Sequence, residues 1–155
     1  MLGTANTMAC MAEAMGMSLP GSAVVPAVYA KRMQIAFETG RCIMRLVREN
    51  VTARTIITAE AIENAMTVLM GIGGPTNAIM HLQAIYKEAG LGQLTLERFS
   101  AVSKRTPQVA SVYPASPFDM VDFYEAGGVL AVQKRLNSFL PTKCLNANGL
   151  SVHAS

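Results

Sequence analysis

Apolar residues recur at intervals of three and four positions along most of this chain, in segments that end at glycine or proline. One such segment runs from about residue 6 to 15 and stops at Gly16, and a longer one covers about 28 to 49. This spacing puts the apolar side chains on one face of an α-helix. The chain is therefore predicted to be built mainly from helices.

Capping residues mark where the later helices begin. Thr58 and Thr95 are each predicted to be the N-cap of a helix, and Pro75 is predicted to be the first residue of a helix that ends near Gly90. Ser116 is the predicted N-cap of a further helix, with Asp119 in its first turn. A last helix is predicted at about residues 129 to 139, and residues 141–155 are predicted to be an irregular tail.

One short segment favours a strand instead. Residues 109–113 are β-prone and lie between Pro107 and Pro114. A lone strand would leave backbone N–H and C=O groups without partners. The predicted fold class is accordingly mainly α with one or two short strands, forming a piece of a larger α/β unit in which residues 1–140 are the folded part.

The composition also suggests that part of the surface is covered by something else. Of 155 residues, 51% are hydrophobic and 15% are charged, whereas globular domains carry roughly 25% charged residues. The chain is either an unusually buried single domain or one whose surface is covered by another domain or subunit. The second alternative is favoured, because a free domain of this size buries only about two-thirds of its unfolded surface.

Charge and hydropathy also exclude several classes of partner. The net charge is +3, aromatic residues make up 6%, and no basic run is longer than two residues, which argues against nucleic-acid binding. The apolar stretches are shorter than the roughly 20 residues that a membrane span needs. No membrane partner and no signal peptide are therefore expected, and the predicted compartment is the cytoplasm.

The cysteines and the helical histidine give little indication of chemistry. Cys10, Cys42 and Cys144 are far apart and have no CxxC spacing, which argues against a disulfide framework and against a zinc site. Cys10 and Cys42 are expected to be buried thiols. His81 is predicted to be a core histidine rather than a catalyst, so no catalytic residue and no metal ligand is assigned to this chain.

Two glycine-containing helix entries could bind an anion. They are residues 3–7 and residues 71–77, where small residues before a helix leave backbone N–H groups free. The second entry lacks both the lysine of a P-loop and the GxGxxG spacing of a dinucleotide loop. An ordinary cap at the first entry and a tight helix-to-helix turn at the second remain alternatives.

Five separated motifs occur in order along the chain. They are Gly3-Thr4-Ala5-Asn6-Thr7-Met8, the segment Glu13-Ala14-Met15-Gly16-Met17-Ser18-Leu19-Pro20-Gly21, Glu63-Asn64-Ala65-Met66, Gly73-Gly74-Pro75-Thr76-Asn77 with His81-Leu82, and Asp122-Phe123-Tyr124 with Ala126-Gly127-Gly128-Val129. Together they resemble the dihydroxy-acid dehydratase/6-phosphogluconate dehydratase family. Within this family, the Ser-Leu-Pro-Gly motif and Glu38-Thr39-Gly40-Arg41 resemble most the sugar-acid (aldonate) dehydratases.

The resemblance implies a hydro-lyase that removes water from a 2,3-dihydroxy acid to give a 2-keto acid. It also implies an α/β/α N-terminal domain, an iron–sulfur cluster that acts as Lewis acid on the leaving hydroxyl, and a magnesium ion that holds the substrate. The family's cluster cysteines, its magnesium ligands and its serine base belong to parts beyond this chain, and Cys10, Cys42 and Cys144 do not match cluster positions.

By the same resemblance, the chain supplies the surroundings of the site. The family's Gly-Gly-Ser-Thr-Asn is Gly-Gly-Pro-Thr-Asn here, so Pro75 removes a hydroxyl and an N–H from that motif. The residues implied to lie beside the cluster are Thr4, Asn6 and Thr7, and those implied to line the substrate pocket are Ser18, Leu19, Pro20, Gly21, Gly73, Gly74, Thr76 and Asn77.

Three functional hypotheses follow. In the first, the chain is a segment of a dehydratase, is inactive alone, and has as partners the remaining N-terminal and C-terminal parts of the enzyme and further copies in a homo-oligomer. In the second, it is a non-catalytic binding or oligomerisation module that retains the family fold. In the third and least favoured, it is a stand-alone helical domain that binds an anion through Gly73–Asn77.

Overall fold

The computed structural model describes residues 1–141 and 144–149, and within them the fold is helical. The prediction of a mainly α fold is confirmed. The helices are α1 Thr4–Ala14, α2 Ala30–Arg48, α3 Ala53–Ile56, α4 Ala59–Ile72, α5 Asn77–Glu88, α6 Leu96–Arg105, α7 Met120–Glu125 and α8 Gly128–Arg135, followed by a 3-10 turn at Asn137–Phe139.

Helix α4 is the centre of the molecule. It packs against α1, α5, α6 and α8, and its buried residues, among them Ile62 and Val68, face most of its circumference. A helix with so wide a buried surface is stable only inside a core. These four helices therefore surround α4, and the residues that start α1 and α5 come to the same end of the molecule.

The predicted caps of α4 and α6 are confirmed. The hydroxyl of Thr58 accepts a hydrogen bond from the backbone N–H of Ala61 at 3.2 Å, and the hydroxyl of Thr95 accepts one from the N–H of Arg98 at 3.4 Å. At its other end α4 stops at Gly73, whose φ of 64° lies in the left-handed region that glycine enters without steric cost.

The cap of α4 should contribute measurably to stability. We expect Thr58→Ala to lower the free energy of unfolding by about 1 kcal/mol, because the N–H of Ala61 loses its acceptor. Thr76 is a matched control, since it is also an N-cap threonine but its side chain makes no capping hydrogen bond. Urea unfolding followed by circular dichroism measures both variants, and equal losses for the two would contradict the capping role of Thr58.

The start of α7 was predicted wrongly. Its N-cap is Asp119 and not Ser116, because Asp119 and Asp122 form a reciprocal capping box. Asp119 Oδ1 accepts from the N–H of Val121 at 2.7 Å, and Asp122 Oδ2 accepts from the N–H of Asp119 at 2.7 Å. Two carboxylates three positions apart satisfy more of the free N–H groups at this helix start than one serine does.

The strand predicted at residues 109–113 is also wrong. This segment is irregular, and its backbone is satisfied by other partners: the N–H groups of Val109 and Ala110 both donate to the carbonyl of Gly71, and the carbonyl of Tyr113 accepts from Leu2. Among the described residues, strand pairing is limited to a single bridge at Leu145. The β-prone composition of the segment therefore produced an extended connection rather than a strand of a sheet.

Helix α2 packs differently from the others. Leu46 is its one buried residue, while Met33, Phe37 and Val47 are 75%, 69% and 66% exposed. The apolar face predicted from the sequence thus exists, and the described residues leave it exposed. None of the helices in the described part combines the length and hydrophobicity needed to cross a membrane.

The predicted tail is described only in part. Residues 142, 143 and 150–155 lie outside the described residues. Cys144 and Asn146 are buried, and Ala147 donates a backbone hydrogen bond to Gly16 at 2.7 Å, so this part of the chain returns to the end of α1.

Candidate functional site

Two of the sequence motifs meet where α1 and α5 begin. The side-chain amide of Asn77 donates a hydrogen bond to the hydroxyl of Thr4 at 3.0 Å. One turn further along α1, Thr7 lies against Gly74, so closely that a Cβ added to Gly74 would come 2.9 Å from Thr7 Cγ2. The two glycine-containing helix entries are therefore parts of one surface, which we call the α1/α5 junction (Thr4, Thr7, Gly74 and Asn77).

The junction contains a hydroxyl group without a partner. Thr7 is completely buried, and its Oγ1 makes no hydrogen bond in the structure. Leaving such a group unpaired inside a protein costs roughly 1–3 kcal/mol. Unsatisfied buried groups are rare, and each calls for an explanation such as strain, a catalytic role, or a bound water or ion.

The Ser-Leu-Pro-Gly loop is held to α1 by one carboxylate. Glu13 is 4% exposed, and its Oε1 accepts from the N–H of Gly21 at 2.9 Å while its Oε2 accepts from the N–H of Ala23 at 2.7 Å. Burial raises the pKa of Glu13, and the backbone hydrogen bonds partly oppose this change. Glu13 is thus a buried acid that fixes the course of residues 21–23.

The same loop forms one wall of a cavity. The cavity has a volume of about 230 Å³ and lies between the loop and helices α2 and α3, with Ser18, Leu19, Cys42 and Leu46 among its lining residues. The hydroxyl of Ser18 is buried there without a hydrogen-bond partner. Ser18 and Leu19 therefore face a recess beside α2, whereas the α1/α5 junction lies at the start of α1.

The remaining predicted site residues lie at or near these two places. Asn6 is exposed and its amide donates to the carbonyl of Met1 at 2.9 Å. Gly73 and Thr76 are exposed and Pro20 is half-buried. A Cβ on Gly73 would come 2.8 Å from Nε2 of Gln108, which places the connection after α6 beside the glycine motif.

Glu13 and Gln108 were not assigned individual roles from the sequence. A signal for Glu13 was available, because an acidic residue stands at a helical position between apolar neighbours, just before a glycine-rich turn. Gln108 has no comparable signal, because its position beside Gly73 depends on how the connection after α6 folds back.

The thiols and imidazole of the described chain do not fit an iron–sulfur or magnesium ligand set. Cys10 is fully buried, and burial, followed by the charge of Glu13, raises its pKa to about 12, whereas cluster ligation requires a thiolate. Cys144 is also buried, and its Sγ accepts a hydrogen bond from the side-chain amide of Asn64 at 3.3 Å. Cys42, which was expected to be buried, is half-buried on α2. His81 is exposed, so the prediction of a core histidine is wrong: it lies beside the apolar stripe of α5 and not on it.

Acidic side chains do not complete a metal site either. Among residues 1–141 and 144–149, no group of three or more His, Cys, Asp or Glu side chains is arranged to hold a metal ion. The donors among the described residues therefore do not form a ligand set for either group, whereas the junction offers hydroxyl, amide and backbone N–H groups.

Comparisons with known proteins agree with the motif resemblance. The dihydroxy-acid dehydratase of Methanoregula boonei is 48% identical over 150 residues, which are 97% of this chain and 27% of that protein. The dihydroxy-acid dehydratase of Thermodesulfovibrio yellowstonii is 50% identical over 133 residues, and that of Pyrococcus abyssi is 49% identical over 134, in both cases 86% of this chain and 24% of the relative.

The chain thus spans about a quarter of the length of these relatives. A family model described as dihydroxy-acid/6-phosphogluconate dehydratase, N-terminal, matches residues 1–155. Together with the relatives, this match shows that the chain belongs to the dihydroxy-acid/6-phosphogluconate dehydratase family and corresponds to a section of its N-terminal region.

Proposed function

We propose that this chain is the section of a cytoplasmic hydro-lyase that forms one wall of the site in which a 2,3-dihydroxy acid is dehydrated to a 2-keto acid. The iron–sulfur cluster and the magnesium ion would be held by the parts of the enzyme beyond this chain, and the assembled protein would be a homo-oligomer. The chain alone would be inactive. The Ser-Leu-Pro-Gly motif favours sugar acids as the substrates.

The observation that carries this proposal is the contact between Asn77 and Thr4. It joins two motifs that lie more than seventy positions apart in the sequence. Two helix starts then adjoin, and the partial positive charge of their free N–H groups favours a carboxylate or another anion nearby. In this proposal Thr4, Asn6 and Thr7 lie beside the cluster.

The other lining residues would shape the pocket. Gly73, Gly74, Thr76 and Asn77 would face the substrate from the start of α5, and Ser18, Leu19, Pro20 and Gly21 would form a second wall. Since the backbone of residues 21–23 is fixed by Glu13, the Gly21 end of this second wall would be preorganised before substrate binds, which reduces the cost of ordering it.

An exchange of segments tests the proposal. This chain would replace the matching quarter of the Methanoregula boonei dihydroxy-acid dehydratase, and the chimera would be assayed with a branched 2,3-dihydroxy acid and with an aldonate. We expect 2-keto acid formation, and a decrease in kcat/KM of at least about tenfold for Asn77→Ala, since roughly 1.4 kcal/mol of binding is lost. Asn137→Ala, at an exposed position of the 3-10 turn, is the control.

Full activity of the Asn77→Ala chimera would contradict the assignment of this residue to the pocket. Iron and acid-labile sulfide are measured in each chimera, so that loss of activity can be separated from loss of the cluster. The isolated chain, treated with iron and sulfide, should form no 2-keto acid, and turnover by it would contradict its proposed dependence on the rest of the enzyme.

The unpaired hydroxyl of Thr7 gives a second test. We expect Thr7→Val to stabilise the isolated chain by about 1 kcal/mol, because an unsatisfied buried group is removed, and to lower the activity of the chimera. Thr67→Val is the matched control: Thr67 on α4 is also fully buried with an unpaired hydroxyl, so it should stabilise the chain without changing activity. Equal effects of the two variants on activity would contradict a role for the Thr7 hydroxyl.

A non-catalytic oligomerisation module is the second candidate. The exposed apolar face of α2 favours it, as does Pro75 in place of the family's serine. Three results together would support this alternative over a catalytic segment. The chimera would be inactive, it would hold a full complement of iron, and Pro75→Ser would make it active.

A further inference from the structure

The connection between α1 and α2 is held by charged side chains instead of by secondary structure. Residues 15–29 contain no helix or strand, so their backbone groups need partners of another kind. Two of their N–H groups donate to Glu13 of α1. Two of their carbonyl groups accept from Arg32 in the first turn of α2, whose Nη1 lies 3.2 Å from the oxygen of Ser22 and whose Nη2 lies 2.6 Å from that of Val25. An acid of one helix and a base of the next therefore hold the same stretch of backbone.

The contact with the two carbonyl groups depends on the shape of the arginine side chain. A guanidinium group carries its N–H donors on a planar fork, so two of its nitrogens can bind two separate acceptors, whereas a lysine ammonium acts as a single point. Ser22 and Val25 are 7% and 2% exposed, so water cannot readily replace the guanidinium at these carbonyl groups. Arg32 therefore fixes the distance of residues 22–25 from α2.

The stretch that Arg32 holds leads from the Ser-Leu-Pro-Gly loop to the start of α1. Its first residues bind Glu13 near the C-terminal end of α1, and residues 23–27 line a recess of about 240 Å³ together with Asn6 and Arg32. Asn6 belongs to the first turn of α1. A displacement of residues 22–25 would thus change the space beside Asn6.

We infer that Arg32 is a positioning residue of the proposed site, where it sets the preference among 2,3-dihydroxy acids by holding the backbone of residues 22–25 in place. The inference rests on the proposed function, in which the Ser-Leu-Pro-Gly loop is one wall of the pocket. Arg32 acts on that wall through the carbonyl groups of Ser22 and Val25 and does not bind the substrate. Because an enzyme discriminates between substrates by how its pocket fits each transition state, a displaced wall changes the relative rates for acids of different size.

Amide hydrogen exchange of the 155-residue chain, followed by NMR, tests the hold on the backbone. Arg32→Met retains the aliphatic stem and removes the donors. We expect exchange of the amides of residues 22–25 to become at least about tenfold faster, because their local opening is no longer opposed by two hydrogen bonds. Lys31→Met is the matched control, since Lys31 is exposed on the same turn of α2 and the same charge is removed. Unchanged exchange in Arg32→Met, or equal acceleration by Lys31→Met, would overturn the inference.

Substrate preference in the chimeric enzyme tests the effect on the site. The ratio of kcat/KM for a branched 2,3-dihydroxy acid to that for an aldonate should change at least about fivefold in Arg32→Met, and KM should rise for the preferred acid. Arg32→Lys, which keeps the charge but offers one nitrogen, should give an intermediate ratio. It also keeps the comparison available if Arg32→Met does not fold. Lys31→Met should leave both KM and the ratio unchanged.

The ratio separates a positioning role from a loss of folded enzyme. A variant that only lowered the amount of folded protein would lower the rates with both acids equally, and would leave KM and the ratio as they are. An active wild-type chimera whose Arg32 variants keep the wild-type ratio and KM would overturn this inference and leave the proposed function standing. A wild-type chimera with full iron content that forms no 2-keto acid from either substrate would overturn the proposed function, and the role of Arg32 with it.

Discussion

Replacement of Glu13 by alanine should lower the free energy of unfolding by about 3 kcal/mol, because two hydrogen bonds to the buried carboxyl group are lost and the N–H groups of Gly21 and Ala23 are left without an acceptor. These bonds are 2.9 and 2.7 Å long and Glu13 is almost fully buried, so water cannot readily replace the carboxylate. Urea unfolding of the isolated chain measures the loss. Amide hydrogen exchange should show the largest increase in residues 21–23.

The controls separate the buried acid from acidic residues in general. Glu13→Gln should lower the free energy of unfolding by about half as much, because the glutamine amide has one oxygen that can accept a hydrogen bond. Glu125→Ala, at an exposed position of α7, should change the stability by less than about 0.5 kcal/mol. A Glu13→Ala variant as stable as Glu125→Ala would contradict the anchoring role of this carboxylate.

The same residue should give the stability a recognisable dependence on pH. Burial raises the pKa of Glu13 above its ordinary value of 4.5 in the folded chain, so the folded state holds this proton more tightly than the unfolded state. Linkage then requires that the advantage of the wild type over Glu13→Ala be greatest below pH 4.5 and decrease as the pH rises through the raised pKa. Urea titrations at a series of pH values measure this difference, and an advantage that grows with pH would contradict the direction.

Helix periodicity and capping residues were sufficient to predict most of the fold. Thr58 and Thr95 cap the predicted helices, and Gly73 ends α4, because each of these effects is local and depends on a few neighbouring residues. The strand at residues 109–113 failed for the opposite reason. Its backbone partners are Gly71, Leu2 and Phe118, and which groups satisfy an extended segment depends on tertiary structure rather than on its own β-propensity.

The site was less accessible to local reasoning. Sequence could single out residues 3–7 and 71–77 as two helix entries but could not place Asn77 beside Thr4, because that contact depends on how α1 and α5 pack around α4. The composition, in contrast, indicated an apolar surface that needs a partner, and Phe37 and Val47 on α2 are exposed. Such a global property does not say which helix carries the surface.

Replacement of Gly74 by valine should disrupt the α1/α5 junction itself. A Cβ at this position would come 2.6 Å from Leu69 Cδ1 and 2.9 Å from Thr7 Cγ2, and both neighbours are buried. Overpacking of this kind costs typically 1–3 kcal/mol, and because two neighbours must move, we expect a loss of about 3 kcal/mol in urea unfolding. Ala84→Val, at an exposed position of α5 where a valine has room, is the control for the added volume and should cost less than about 1 kcal/mol.

The steric origin of this loss can be tested with Leu69→Ala. Since Leu69 is the closer of the two obstacles, trimming it should make room for the larger side chain of the Gly74→Val variant. The stability loss of the double variant should then be smaller, by at least about 1 kcal/mol, than the sum of the losses of the two single variants. In the chimeric enzyme, Gly74→Val should also lower kcat/KM, because the displaced Thr7 and Asn77 can no longer hold the two helix starts together. Additive stability losses, or an unchanged stability for Gly74→Val, would show that the junction is packed less tightly than these distances indicate. The structural basis for treating the two motifs as one wall would then be lost.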